Sequence, residues 1–181
     1  MLPTSAKRGV LNLGYPCMVR RLKNGKVTSK ITQKTLLGLK GMTAYQKLVE
    51  LTNQNLDGLD VTLDYNFVHN VRFYRCYSDL FPHISNRKLD GVLGAELTKK
   101  FRNLDAFDQK LKKIGKKLFF YGIRLTFHPN EYACLGSPNQ DVIDYSIIDL
   151  DWHGRMVLKC VEGAKEFVDQ CKENEKSTNL K

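Results

Sequence analysis

Residues 124–138 read RLTFHPNEYACLGSP, and the fold turns on how this stretch is understood. Ile123, Leu125 and Phe127 alternate with polar neighbours, the period-two pattern of a half-buried strand. Pro129 follows directly, and a proline cannot donate to a ladder, so the strand must stop near Phe127. His128 therefore sits at a carboxyl strand end. In folds built from parallel strands that end is the rim where ligands, metals and catalytic groups collect.

Working outward, the pattern of strand, helix, strand, helix, strand, helix predicts an α/β fold with a parallel sheet and right-handed crossovers. A first strand is expected at Val10–Tyr15 and a helix from Ala44 to about Leu63, with apolar Leu48, Leu51, Leu56, Leu59 and Leu63. A second strand is expected at His69–Tyr77, ending in Ser-Asp-Leu-Phe-Pro. Residues 94–118 read as one long basic amphipathic helix, and a last helix is expected from about Asn139 to Cys160, followed by a polar, fraying tail. Residues 19–41 are basic, turn-rich around Asn24-Gly25 and long for a simple connection, which points to a functional or mobile loop.

The composition fits one folded unit: 181 residues, 42% hydrophobic and 10% aromatic. No membrane span or signal peptide is expected, which places the protein inside the cell, in cytoplasm, nucleus or a virus-infected cell. Five cysteines, with no Cys-x-x-Cys pair, argue against a disulfide framework or a zinc knuckle. The net charge of +10 is concentrated: residues 1–49 hold ten Lys or Arg and no acid. That segment, including Arg20, Arg21, Lys23 and Lys26, suits either a polyanion partner or a solvated basic loop.

Three strand ends would lie side by side: Tyr15-Pro16-Cys17, Ser78-Asp79, and His128 through Tyr132. His128 and Asp79 are donors suited to manganese, zinc or iron, and a divalent metal can activate water against a phosphodiester. Against that stand a hydrogen-bonded structural histidine and an Asp that caps a turn. Tyr15 and Tyr132 can stack on bases or pack with their hydroxyls in water. His69, His83 and His153 read as structural or solvated, and Cys17, Cys76 and Cys134 as small packing groups.

Three stretches carry a family resemblance: LNLGYPC, NQNLDGLDVTLDYNFVHNVRFYRCYSDLFPH, and GIRLTFHPNEYACLGSP before a helix. In order and spacing the chain resembles the ultraviolet damage endonucleases, DNA repair enzymes with a TIM-barrel fold. The resemblance implies metal-dependent hydrolytic incision of double-stranded DNA on the 5′ side of pyrimidine photoproducts. It makes His128 a metal ligand, with Asp79 near the metal cluster, and manganese the expected ion, with zinc or magnesium as alternatives. It also gives Tyr15, Glu131 and Tyr132 the task of probing the distorted base pair. Glu131 departs from the family, in which Gln is common, though a carboxylate can still accept from a base amino group.

An eight-stranded barrel needs about 250 residues, and this chain supplies roughly its first three strand-helix units. The family's later His, Glu and Asp ligands have no counterpart in residues 156–181. The expectation is thus a partial TIM barrel, the amino-terminal portion of such an enzyme, completed by further sequence or by a second chain. Two alternatives are a non-catalytic DNA-binding or assembly fragment, and another metal-dependent barrel of the apurinic-site endonuclease or sugar isomerase type.

Overall fold

A computed structural model describes residues 13–16 and 22–178. Its elements run β1 (Gly14–Pro16), α1 (Gln33–Gly38), α2 (Gly41–Val68), β2 (Phe73–Tyr77), α3 (Asp90–Leu93), α4 (Ala95–Arg102), α5 (Asp108–Tyr121), β3 (Arg124–His128) and α6 (Gln140–Thr178). The three strands form one parallel sheet in the order β1-β2-β3, with Tyr15 beside Tyr74, Tyr74 beside Leu125, and Tyr77 beside His128. Residues 10–12 of the expected first strand, with Arg20, Arg21 and Cys17, lie outside the described residues.

Alternation divides the sheet into two faces. Tyr74 and Cys76 are wholly buried, Tyr15 bonds Asn66 of α2, and Phe127 stacks on His153 of α6, so the helices cover this side. The core lies between sheet and helices, from Leu48, Leu56, Leu59 and Leu63 of α2 to Phe107, Leu111, Ile114, Trp152 and Met156. Three lysines fasten α5 to α2: Lys110 to Asp57 at 2.6 Å, Lys113 to Asp60 at 2.9 Å, and Lys117 to Asp60 at 2.7 Å and Asp64 at 2.8 Å. Against α6, α5 comes so close that a Cβ on Gly115 would stand 1.8 Å from the Cys160 carbonyl oxygen; only glycine fits.

Four boundaries differ from the sequence expectation. The second strand begins at Phe73, because α2 continues to Val68 and His69 caps it, its amide donating to Tyr65 O at 3.0 Å. Residues 94–118 are two helices: Leu104 takes a left-handed backbone (φ 63°) that buries its side chain, and Asn103 receives the Asp105 amide. The last helix runs to Thr178, held beyond Cys160 by Phe167 against Phe119 and Phe120 and by the 2.7 Å pair of Lys112 with Glu166. The basic 19–41 stretch is partly structural, since Val27 and Leu36 are fully buried and α1 lies within it.

Candidate metal and DNA site

Both later strands end on the same rim. β2 passes directly into a 3₁₀ turn, Ser78–Leu80, and β3 ends at His128 before Pro129. Between these ends lies a cleft of about 270 Å³ lined by Lys30, Tyr77, Ser78, Asp79, His128, Pro129, Asn130 and Glu131. The fold thus brings His128, Asp79 and Glu131 to one place.

His128 is exposed, and its Nδ1 lies 2.8 Å from the Pro129 carbonyl oxygen. A carbonyl only accepts, so Nδ1 carries a proton, and in the neutral ring the lone pair is then on Nε2. That is the tautomer in which a histidine ligates a metal. Asp79 is partly exposed and pairs loosely with Lys30 at 3.7 Å. The donor set of one imidazole with carboxylates fits manganese, zinc or magnesium to different degrees, the imidazole favouring the first two. Among the described residues no group of three or more His, Cys, Asp or Glu stands close enough to hold an ion. The residues present therefore fit part of a metal site.

Beside this cleft opens a larger one of about 650 Å³, walled by Lys30, Arg87, Lys88, His83, Tyr132 and Tyr145 among others. Tyr132 is 70% exposed on the loop after Pro129, where its amide donates to Asn130 Oδ1 at 3.0 Å. Cys134 donates its amide to Ser146 Oγ at 2.8 Å, tying the same loop to α6.

Tyr15 is placed otherwise than the sequence suggested. Its ring packs against Tyr74 with centroids 5.3 Å apart, and its hydroxyl donates to Asn66 Oδ1. Burial raises its pKa to about 12, with the Asn66 bond opposing. The ring faces the helices, on the opposite side of the sheet from His128, because the register puts the two residues out of phase.

Lys23 and Lys26 are exposed. From Gly25 to Lys30 the chain is neither helix nor strand, with Gly25, Val27 and Ser29 buried and Lys26 and Lys30 exposed. Gly58 of α2 makes room: a Cβ there would meet the Lys26 carbonyl oxygen at 2.1 Å. The sequence reading overlooked the residue that holds this arrangement. Asn55, fully buried, receives the Ser29 amide at 2.5 Å and donates to Ser29 O at 2.9 Å, Asp79 O at 3.3 Å and Leu80 O at 3.2 Å. It fixes the basic segment to the turn bearing Asp79. His83 adds a second tether, its Nε2 lying 2.8 Å from Ile31 O. The one available signal was an Asn set between Leu51 and Leu59 on the apolar face of α2.

His153 is buried beneath the rim, and desolvation lowers its pKa, opposed by the nearby Asp149 carboxylate and the Ser78 backbone. Burial likewise pushes the Cys160 thiol up to about 12. Cys76 points into the core and Cys134 outward, so these two thiols form no rim cluster.

The family model for the UV-endonuclease UvdE matches residues 11–169, nearly the whole described chain and the site with it. The chain belongs to the UvdE family. It is 30% identical over 151 residues to a protein named for UV-damage endonuclease activity in Acanthamoeba polyphaga mimivirus, covering 83% of this chain and 42% of that one. It is 28% identical to the UV-damage endonuclease of Schizosaccharomyces pombe (strain 972 / ATCC 24843), covering 81% and 23% respectively. It is 27% identical to the UV DNA damage endonuclease of Clostridium perfringens (strain 13 / Type A), covering 79% and 30%. The crystal structure of SacUVDE shares the fold, with a TM-score of 0.67 at 22% identity over 86% of this chain and 46% of that one. The chain spans less than half the length of these UvdE relatives. No described helix is long and apolar enough to cross a membrane.

Proposed function

We propose that this chain is the amino-terminal part of a TIM-barrel DNA repair endonuclease that incises double-stranded DNA 5′ to ultraviolet photoproducts, inside the cell, and that it carries part of a divalent-metal site. The observation that carries the reading is the His128 tautomer: Nδ1 is committed to Pro129 O, and Nε2 is free in a cleft shared with Asp79 and Glu131. His128 is the metal ligand, Asp79 assists it, and manganese is the proposed ion, with zinc or magnesium as alternatives. A bound divalent metal supplies Lewis-acid activation of water against the phosphodiester.

The chain's own residues do the rest. Lys30 meets the backbone phosphate nearest the cleft, and Lys23 and Lys26, with Arg20 and Arg21, extend a basic track along the duplex. Tyr132 stacks on a base loosened by the lesion, while Glu131 accepts from a base amino group. Because Tyr15 is turned to the helices, lesion probing is assigned to Tyr132 and Glu131, with Tyr15 in a supporting role. The remaining ligands come from outside the described residues, in further sequence or in a second chain. The absence of a three-donor set among the described residues also favours a second reading, a DNA-binding fragment without chemistry of its own.

The test combines manganese binding with DNA affinity. The chain alone should bind manganese weakly, seen as loss of the free-ion electron paramagnetic resonance signal, and His128→Ala should abolish this. It should not nick irradiated plasmid. The ratio of dissociation constants for plain and irradiated duplex at fixed salt should survive Tyr15→Phe and collapse in Tyr132→Ala, since base stacking is worth ~1–3 kcal/mol. Manganese binding unaffected by His128→Ala refutes the ligand assignment. Robust nicking by the chain alone refutes the partial site.

A further inference from the structure

Three buried polar residues share one face of α6: Ser146, Asp149 and His153, at positions i, i+3 and i+7, where a helix packed on a sheet ordinarily carries apolar side chains. Each is bonded to a segment of the rim. Ser146 Oγ receives the Cys134 amide at 2.8 Å, on the loop after β3. Asp149 Oδ1 receives the Ser85 hydroxyl at 3.0 Å, on the loop after β2. His153 bonds the backbone of Ser78, the first residue of the 3₁₀ turn. That bond favours the charged ring, so the imidazole is its donor; Nδ1 has no partner among the described residues, which leaves Nε2 donating to the Ser78 carbonyl oxygen. The face of the same ring stacks on Phe127, with centroids 4.8 Å apart and planes 12° from parallel.

Ser78 precedes Asp79, Phe127 precedes His128, and β2 and β3 run side by side with Tyr77 against His128. One buried imidazole therefore touches the residue before each of the two rim groups. An apolar stripe would cover the sheet at lower cost, since a buried polar group must be hydrogen-bonded merely to offset its desolvation. What the polar stripe adds is a fixed position for the loops. At 153 a phenyl ring could stack on Phe127 without holding Ser78, and an amide could hold Ser78 without stacking. Histidine does both.

Resting on the metal-site reading above, we propose that His153 is a positioning residue that sets the placement of Asp79 relative to His128, through Ser78 O on one side and the Phe127 ring on the other. Asp149 and Ser146 hold the adjoining loops to the same helix.

The two attachments can be cut separately. His153→Phe keeps the stack and loses the donor, His153→Gln keeps a donor and loses the stack, and Phe127→Leu removes the stack while leaving His153 in place. In NMR spectra of the full chain without metal, His153→Phe should shift the amides of Ser78, Asp79 and Leu80 and speed their exchange about tenfold, the scale of one lost hydrogen bond. The His128 amide and ring nitrogen shifts should stay as in the parent. His153→Gln and Phe127→Leu should do the reverse, moving His128 and sparing the turn. Manganese affinity, read from the free-ion electron paramagnetic resonance signal, should fall about tenfold in all three. Leu158→Ala, exposed on the same helix, should change neither readout. Circular dichroism checks folding, and if His153→Phe does not fold, the other two variants carry the test. Shifts spread alike over both rim segments in every variant, or confined to α6, would overturn the proposal and make His153 an ordinary packing residue. So would parental manganese affinity in variants whose rim amides have moved. A parent chain that binds no manganese would refute the metal-site reading instead, and the amide shifts would still decide the role of His153.

Discussion

Asn55→Ala removes one side chain from the centre of α2 and should loosen the rim without touching it. The Asn55 amide meets four backbone groups: Ser29 N–H and O, Asp79 O and Leu80 O. In the alanine variant the buried Ser29 N–H and C=O lose their partners outright. Two buried unsatisfied groups at ~1–3 kcal/mol each put the loss near 3 kcal/mol, with the two weaker contacts adding little. For a domain of this size that corresponds to a fall in Tm of about 6–12 °C. The same change should raise amide exchange at Ser29, because the segment then keeps Val27, Leu36, the Thr62 hydroxyl on Gly25 O, the loose Lys30–Asp79 pair and the His83 tether but loses the bonds to Ser29 itself. Thermal unfolding with hydrogen exchange reads both quantities. A loss under about 1 kcal/mol, or Ser29 exchange unchanged from the parent, would refute the role of Asn55 as the clamp between basic segment and Asp79 turn.

The α2–α5 ladder should give stability a flat middle and two falling ends. Burial pushes the Asp60 pKa up, but the bonds from Lys113 and Lys117 outweigh it and hold the carboxyl below its usual range, so its contribution is present above about pH 4 and lost as pH falls through the lowered value. Burial lowers the Lys117 pKa while Asp60 and Asp64 raise it further, so its contribution is full below about pH 10.4 and lost as pH rises through the raised value. Lys117→Met should cost about 1 kcal/mol at neutral pH and flatten both ends, measured by urea unfolding across pH; unaltered ends would remove the ladder from the explanation. Gly115→Ala forces a Cβ against the Cys160 carbonyl and should destabilise by ~1–3 kcal/mol or more, whereas Gly154→Ala, with open space around it, should be neutral or stabilising by ~0.5–1 kcal/mol. Equal effects of the two substitutions on Tm would show that α5 and α6 do not pack so closely.

Much of the architecture was legible because strands and helices leave different periods in the chain. Ile123, Leu125 and Phe127 alternate, Pro129 stops the strand, and the strand lies where that pattern put it. The errors came where local pattern and tertiary demand disagree. His69 and Val71 appeared to begin an alternating run, but α2 keeps its hydrogen bonds through Val68 and the turn at Asn70 needs a positive φ of 55°. Leu104 carried no helix-breaking signal. Its left-handed backbone goes with a side chain buried in the core, among neighbours distant in sequence. The basic segment appeared solvated because charge dominates its composition, while Val27, Ser29 and Leu36, which anchor it, are too few to register as a periodic face.

The site was legible to a different depth. His128 and Asp79 could be placed at a common rim because each follows a strand whose end is marked by proline. The direction of Tyr15 could not, because it depends on register. Tyr15 pairs with Tyr74 and Tyr74 with Leu125, and His128 lies three residues beyond Leu125. With a side-chain period of two, an odd separation sends Tyr15 and His128 to opposite faces of the sheet. Sliding β1 by a single residue would reverse this, bringing the tyrosine to the face of His128 and taking its hydroxyl from Asn66. No property of either residue distinguishes the two cases. The choice is made by Asn66, fully buried on α2, whose Oδ1 the Tyr15 hydroxyl satisfies, and by the ring of Tyr74, against which Tyr15 packs. The same parity puts Arg75, Arg124 and His128 together on the face turned away from the helices, so the register that turns Tyr15 toward Asn66 also aligns both arginines beneath His128.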